Sequence, residues 1–239
     1  VLEEEEVRQL WSFVHGDIMA PALRGVLREA LGLCPRHTWG YAAVEIELWQ
    51  TGAGARGGHQ PFDVSVLYEE LLDHVADGLD RPATLLRPRP ERILIPRGPC
   101  RICTEMAGPE YAGHRIGYAG SDTAALTRKA NLLEHTRAWC RETAAIWRGR
   151  VCPDCDPSRP ARPEAACLCR AHLLARGPLE QAVRRARAEG LREVRSRLLR
   201  LGDSMTVGGP PAGPEEDSSW VEALGFFAGW GPPLWLAGG

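Results

Sequence analysis

The sequence predicts a mainly α protein: helical bundles interrupted by short cysteine-rich knuckles, with room for short β pieces only at the Cys-x-x-Cys turns. Three observations predict it. Successive segments place apolar residues at helical spacing, runs that alternate as strands do are scarce, and cysteines and histidines recur in pairs three positions apart.

The first helix is expected over residues 1–19, where Val7, Leu10, Trp11, Val14 and Ile18 share a face. Four glutamates crowd its first turns, which suits the positive end of a helix dipole. Gly16 and Pro21 bracket a break, and a second helix runs from Pro21 to Leu31, ended by Gly32. A third starts near Pro35 and carries Trp39, Ala43, Ile46 and Trp49. Residues 51–61 read as a loop. Its GAGARGG string follows a predicted helix rather than a strand, so it is no dinucleotide fingerprint.

Asp63 is placed to cap a fourth helix whose apolar stripe runs from Val64 to Leu79. The Pro- and Arg-rich segment that follows carries a short extended piece at Ile93-Leu94-Ile95. Beyond it, one long helix is expected from about Asp122 to Trp147, then a Pro-rich loop at 156–166. A further helix opens at Pro178 and stops at Gly202.

These elements divide the chain into an N-terminal helical module (1–80), a linker (81–99), a C-terminal helical module (100–202), a disordered linker (203–217) and a Trp-rich terminal helix and tail (218–239). In the last of these, Ser219 and Glu222 have capping-box spacing. Trp220, Leu224, Phe227 and Trp230 form one apolar face. It is read as docked on the core, with a protein partner bound through the same segment as the alternative.

The chain has 239 residues, 44% of them hydrophobic, enough to bury a core. Its formal charge of −2 provides no global field for nucleic acid or an anionic membrane. Of 29 basic residues, only Lys129 is lysine, a bias that a GC-rich genome accounts for. No apolar run has membrane-spanning length, and the N-terminal Val-Leu-Glu-Glu-Glu-Glu is unlike a signal peptide. A cytoplasmic location is therefore expected. In that reducing setting, eight cysteines fit metal ligation better than disulfides.

Four motifs carry the chemistry: Cys34-Pro-Arg-His37, Cys100-Arg-Ile-Cys103, Cys152-Pro-Asp-Cys155 and Cys169-Arg-Ala-His172. Spacing of three lets both side chains of a tight turn point at one ion, and structural zinc takes four such ligands in a tetrahedron. Six of the eight cysteines fall into these pairs, so four pairs suggest two zinc sites of three Cys and one His. Cys152, Cys155, Cys169 and His172 are assigned to one site, where 13 residues separate Cys155 from Cys169. Cys34, His37, Cys100 and Cys103 are assigned to the other by elimination.

That second assignment has rivals. A helical hairpin returns Cys34 towards Val1, so a Cys-x-x-Cys before residue 1 is an alternative partner for Cys34/His37. Cys100/Cys103 would then turn to Cys169/His172 or to Cys140 and His135. Cys167 is read as an unligated spare thiol.

The remaining histidines, His15, His59, His74, His114 and His135, lack ligand spacing. There is no His-Glu-x-x-His and no nucleophile elbow.

The segments GLCPRHTWGY, SVLYEELL, GPCRIC and CLCRAHLLA resemble uncharacterised bacterial helical proteins that repeat Cys-x-x-Cys and Cys-x-x-His pairs. The resemblance covers roughly residues 1–175. In such proteins a Cys-x-x-Cys precedes the first helix, and the additional Cys152/Cys155 pair departs from their alternation. The resemblance implies zinc and a helical fold, and no known reaction.

The functional expectation is a zinc-binding, non-catalytic interaction or regulatory protein. One alternative is a nucleic-acid-binding zinc module, carried by Arg184, Arg185, Arg187, Arg192, Arg195, Arg197 and Arg200 on one helix. Another is a zinc–thiol redox switch.

Overall fold

A computed structural model of the chain describes residues 1–14, 17–48, 61–82, 89–107, 122–156 and 167–238. Trp49, His15, His59, His114 and most of the loops expected at 51–61 and 156–166 lie outside them. Among the described residues there are thirteen α-helices and three short 3-10 turns, and no strand. Ile93 and Leu94 belong to a 3-10 turn (Pro90–Leu94), and only Ile95 continues as extended backbone.

The N-terminal half contains α1 (Glu4–Val14), α2 (Pro21–Ala30), α3 (Pro35–Leu48) and α4 (Phe62–Asp80). Leu31 is left-handed and caps α2, with Gly32 beside it at φ +88°. A Cβ on Gly32 would approach the Tyr68 hydroxyl to 2.8 Å, so both the backbone angle and the packing call for glycine. α3 is enclosed on every side: each residue from His37 to Leu48 is buried.

That enclosure explains a departure from the sequence reading. α4 begins at Phe62, and Asp63 does not cap it. The buried Glu45 of α3 accepts the N–H groups of Asp63 and Val64 at 2.7 and 3.0 Å. Its neighbour Glu47 accepts both the N–H and the hydroxyl of Thr136 at 2.8 Å. Two carboxyls from the central helix thus satisfy orphan donors at the starts of two other helices.

The C-terminal half contains α5 (Arg101–Met106), α6 (Thr123–Leu132), α7 (Glu134–Glu142), α8 (Ala144–Trp147), α9 (Arg170–Ala175), α10 (Gln181–Ser204), α11 (Pro214–Asp217), α12 (Ser219–Ala228) and α13 (Gly231–Leu236). The helix expected over 122–147 is three helices. Asp122 caps α6 through the Ala125 N–H at 2.9 Å, but Leu133 adopts φ +54° and breaks the helix. The stretch 203–217 holds the end of α10 and all of α11, with Met205 buried. Glu216 reaches back to the Gly213 N–H at 3.0 Å. That contact is the glutamate half of a capping box, and none forms at Ser219/Glu222, where Glu222 instead binds Arg197 and Arg150.

α10 lies along α4, and α12 packs on α3, α4, α9 and α10, so one continuous core runs across both halves. Trp220, Leu224, Phe227 and Trp230 are all buried in it. Trp230 stacks on Trp147 with ring centroids 6.0 Å apart, and Trp220 meets Trp39 edge-on at 6.3 Å. Gly225 makes the stack feasible, since a Cβ there would come within 2.5 Å of the Trp230 ring. The terminal segment is thus docked on its own chain. No described helix is long and apolar enough to cross a membrane.

Candidate metal centres

Two tetrads of cysteine and histidine come together, and they are the two assembled from the sequence motifs. The first joins Cys34, His37, Cys100 and Cys103; the second joins Cys152, Cys155, Cys169 and His172. Within each, all ligand atoms lie within 4.8 Å of one another. None of the eight cysteines is in a disulfide. Among the described residues, Cys34/His37 meets Cys100/Cys103. Cys140 and His135 join neither tetrad, and Cys167 stands apart from both.

Three of the four pairs are set at the start of a helix. Cys34 and His37 open α3, Cys100 and Cys103 open α5, and Cys169 and His172 open α9. The first member precedes the helix and the second sits one turn in, so both face the same side. Cys152 and Cys155 instead lie in a tight turn closed by the Cys155 N–H on the Cys152 carbonyl at 2.9 Å.

In the first tetrad, His37 Nδ1 lies 3.2 Å from Cys34 Sγ, 3.5 Å from Cys100 Sγ and 3.4 Å from Cys103 Sγ. Cys34 and Cys103 sulfurs are 3.8 Å apart. In the second, His172 Nδ1 lies 3.3, 3.5 and 3.2 Å from the sulfurs of Cys152, Cys155 and Cys169. Cys155 and Cys169 sulfurs are 3.7 Å apart. Disulfide sulfurs sit at about 2.0 Å, so neither sulfur pair is bonded, and each tetrad surrounds a common point.

Packing three thiols and an imidazole together redistributes charge. Burial opposes ionisation of Cys100, yet hydrogen bonds from His37 and from the backbone of Cys34 and Cys103 outweigh it and bring the thiol down to about 6. Partial desolvation of the sulfur within the tetrad and the neighbouring Cys100 charge push Cys103 up to about 12, and burial raises Cys34 as well. In the second tetrad, hydrogen bonds from Cys155 and Cys169 pull Cys152 down, while hydrogen bonding to Cys152 drives Cys155 and Cys169 up. Three thiols this close cannot all ionise by themselves. A divalent cation at the centre removes the conflict, since each ligand then binds as thiolate.

The layer behind the ligands is built differently in the two tetrads. At the first, His37 Nε2 donates to Glu6 Oε1 at 2.9 Å, which fixes Nδ1 as the atom facing the sulfurs. Glu6 is in turn held by Arg36 at 2.5 and 2.6 Å and by the Glu3 N–H at 2.7 Å. Burial opposes its charge, but these hydrogen bonds outweigh it and hold the carboxyl down at about 2.

Sequence reasoning missed Glu6. It sits in a run of four glutamates that reads as helix-dipole decoration, and its role exists only once α1 lies against α3. Replacing it with glutamine should weaken metal binding at the first tetrad by about 10–100-fold, leaving the second unchanged as an internal control. Competition titration with a chromophoric chelator measures both. Equal weakening at both tetrads would count against a positioning role.

At the second tetrad the support comes from the core. Val151, Cys152, Leu168, Cys169 and Leu173 are buried. The Trp230 backbone hydrogen-bonds to Cys155. Arg170 donates to the Phe227 carbonyl at 3.3 Å and the Leu94 carbonyl at 3.1 Å.

The arginines that suggested a nucleic-acid face are engaged inside the chain. Arg184 donates to the carbonyls of Leu79 and Arg81, and Arg187 lies over the Phe226 ring at 4.5 Å. Arg185 and Arg192 pair with Asp80, Arg192 also with Asp77, and Arg195 with Glu69 and Asp73, all on α4. Arg197 pairs with Glu222, and Arg200 with Glu216. The stripe works largely as a zipper between α10 and α4.

A cavity of about 460 Å³ opens beside α10 and α12. Leu72, Leu191, Val194, Phe226 and Trp230 line it together with arginines and glutamates, and Cys167 faces it.

Comparison with protein-family models, with curated proteins and with solved structures found no match. The functional reading therefore rests on the two tetrads and what surrounds them.

Proposed function

We propose that the chain is a zinc-stabilised, non-catalytic interaction or regulatory protein whose two tetrads each hold one structural zinc ion. The observation that carries this is the completeness of both sets. Three thiols and one imidazole converge at each centre. Catalytic zinc keeps a position open for water or substrate, whereas four protein ligands close the coordination shell.

The spacing suits zinc. Zn–S of about 2.3 Å and Zn–N of about 2.0–2.1 Å at tetrahedral angles give S···S edges of about 3.8 Å and S···N edges of about 3.6 Å. The sulfurs are 3.7 and 3.8 Å apart, and the sulfur–nitrogen edges run from 3.2 to 3.5 Å. The ligand chemistry points the same way, since thiolate with imidazole favours zinc over the oxygen-seeking calcium and magnesium. The cavity beside α12 supports an interaction role, being lined by both apolar and charged side chains.

Chelation tests the reading. Protein carrying two zinc ions should lose helicity when a high-affinity chelator strips them, and regain it when zinc is restored. Magnesium or calcium should not restore it. A chain that keeps its full thermal transition after both ions are removed would defeat the proposal.

A further inference from the structure

The two tetrads are not equivalent in exposure or in what they hold. Cys103 is exposed, while at the second tetrad Cys152 and Cys169 are buried and Cys155 is half-buried. α5, which carries Cys103, has a single buried residue, Ile102. It packs on α1 and α2 and meets α3 through His37. α9, its counterpart, also has one buried residue, Leu173, but it follows directly on buried Leu168 and Cys169 and is tied by Arg170 to two distant carbonyls. An oxidant can therefore approach Cys103 of the first tetrad from solvent.

Resting on the zinc reading above, we infer that the first tetrad is a peroxide-responsive zinc-release site, in which Cys103 reacts and then links to Cys34, while the second tetrad keeps its ion. The Cys103 thiolate attacks hydrogen peroxide. An S–O bond forms, the O–O bond breaks, and hydroxide leaves, giving a sulfenic acid. The Cys34 thiolate, whose sulfur starts 3.8 Å away, attacks that sulfur. An S–S bond forms, the S–O bond breaks, and a second hydroxide leaves. Two thiolates together give up two electrons, peroxide accepts them, and zinc stays divalent throughout. With two of four ligands gone, the ion dissociates and α5 is released from α1 and α2. A reducing thiol reverses the disulfide and allows zinc to rebind.

The experiment uses the full chain, first shown to carry two zinc ions. A chain without two ions at that point would overturn the zinc proposal itself, before peroxide is added. Hydrogen peroxide is then titrated with a chromophoric chelator present, and the oxidised cysteines are mapped by mass spectrometry. Expected are release of one equivalent, a Cys34–Cys103 disulfide, unmodified Cys152, Cys155 and Cys169, and nearly unchanged far-ultraviolet dichroism. Dithiothreitol with added zinc should return the count to two. Release of both ions together, no release at all, first oxidation at the second tetrad, or a Cys100–Cys103 link in place of the Cys34 one would each overturn the inference.

Discussion

Replacing Cys152 and Cys155 together with serine is expected to remove one zinc equivalent and unfold the C-terminal half of the chain. Ion binding to a structural site of this type supplies about 10–16 kcal/mol of apparent folding free energy, against a net stability of about 5–15 kcal/mol for a typical protein. The second tetrad is also central to the packing. Cys152 follows the buried Trp147 and Val151, Cys155 bonds to the Trp230 backbone, and Trp147 stacks on Trp230. Loosening the turn therefore frees α8, α9 and the α12–α13 corner at once. Elemental analysis and thermal melts followed by circular dichroism measure the two effects. The matching Cys100→Ser/Cys103→Ser variant should lose the other ion while the α4–α10–α12 packing persists. An unchanged metal content in the Cys152/Cys155 variant would contradict the assignment of those residues.

The second large effect is expected at Glu222. This carboxyl is buried on α12 and receives Arg197 at 2.7 and 2.9 Å and Arg150 at 2.6 Å. Glu222→Ala leaves the buried Arg197 guanidinium without its bidentate partner, which typically costs about 3–5 kcal/mol. The paired replacement Arg197→Met/Glu222→Leu should recover most of that loss, because burying two charges is itself expensive. Burial pushes the Glu222 carboxyl up to about 7 against the pull of Arg150. Its folded value thus lies above the unfolded one. The folded state binds the extra proton, so this group's contribution to stability falls as pH rises from about 4.5 to about 7. Urea titrations at pH 5.5 and 8 would measure both effects. A Glu222→Ala variant as stable as the parent would show that the cluster is not a structural tie.

Much of this was legible in the sequence because the signals were local. Spacing of three between Cys and His places two ligands on one side of a helix start, whatever the rest of the chain does. Helical stripes such as Val64 to Leu79 likewise depend only on the helical repeat. What stayed hidden depends on which helices meet. Glu45 and Glu47 look like surface charges on α3 until that helix is enclosed and their carboxyls turn to cap its neighbours. Glu6 becomes a partner of His37 only when α1 crosses α3. The arginines of α10 read as a free cationic face because the acidic residues facing them lie more than a hundred positions earlier, on α4. Leu133 gave no warning of the break at the end of α6, since nothing in leucine itself favours a positive φ. Composition alone suggested disorder for 203–217, and only the packing of Met205 and the Arg200–Glu216 pair shows why part of it is helical.

X-ray absorption at the zinc edge, on the purified protein with its metal counted, tests the central claim most directly. The account predicts two zinc ions per chain, each with three sulfur neighbours at about 2.3 Å and one nitrogen at about 2.0–2.1 Å. Fewer than two ions, a shell containing water oxygen, or cysteines recovered as disulfides in protein purified under reducing conditions would contradict it.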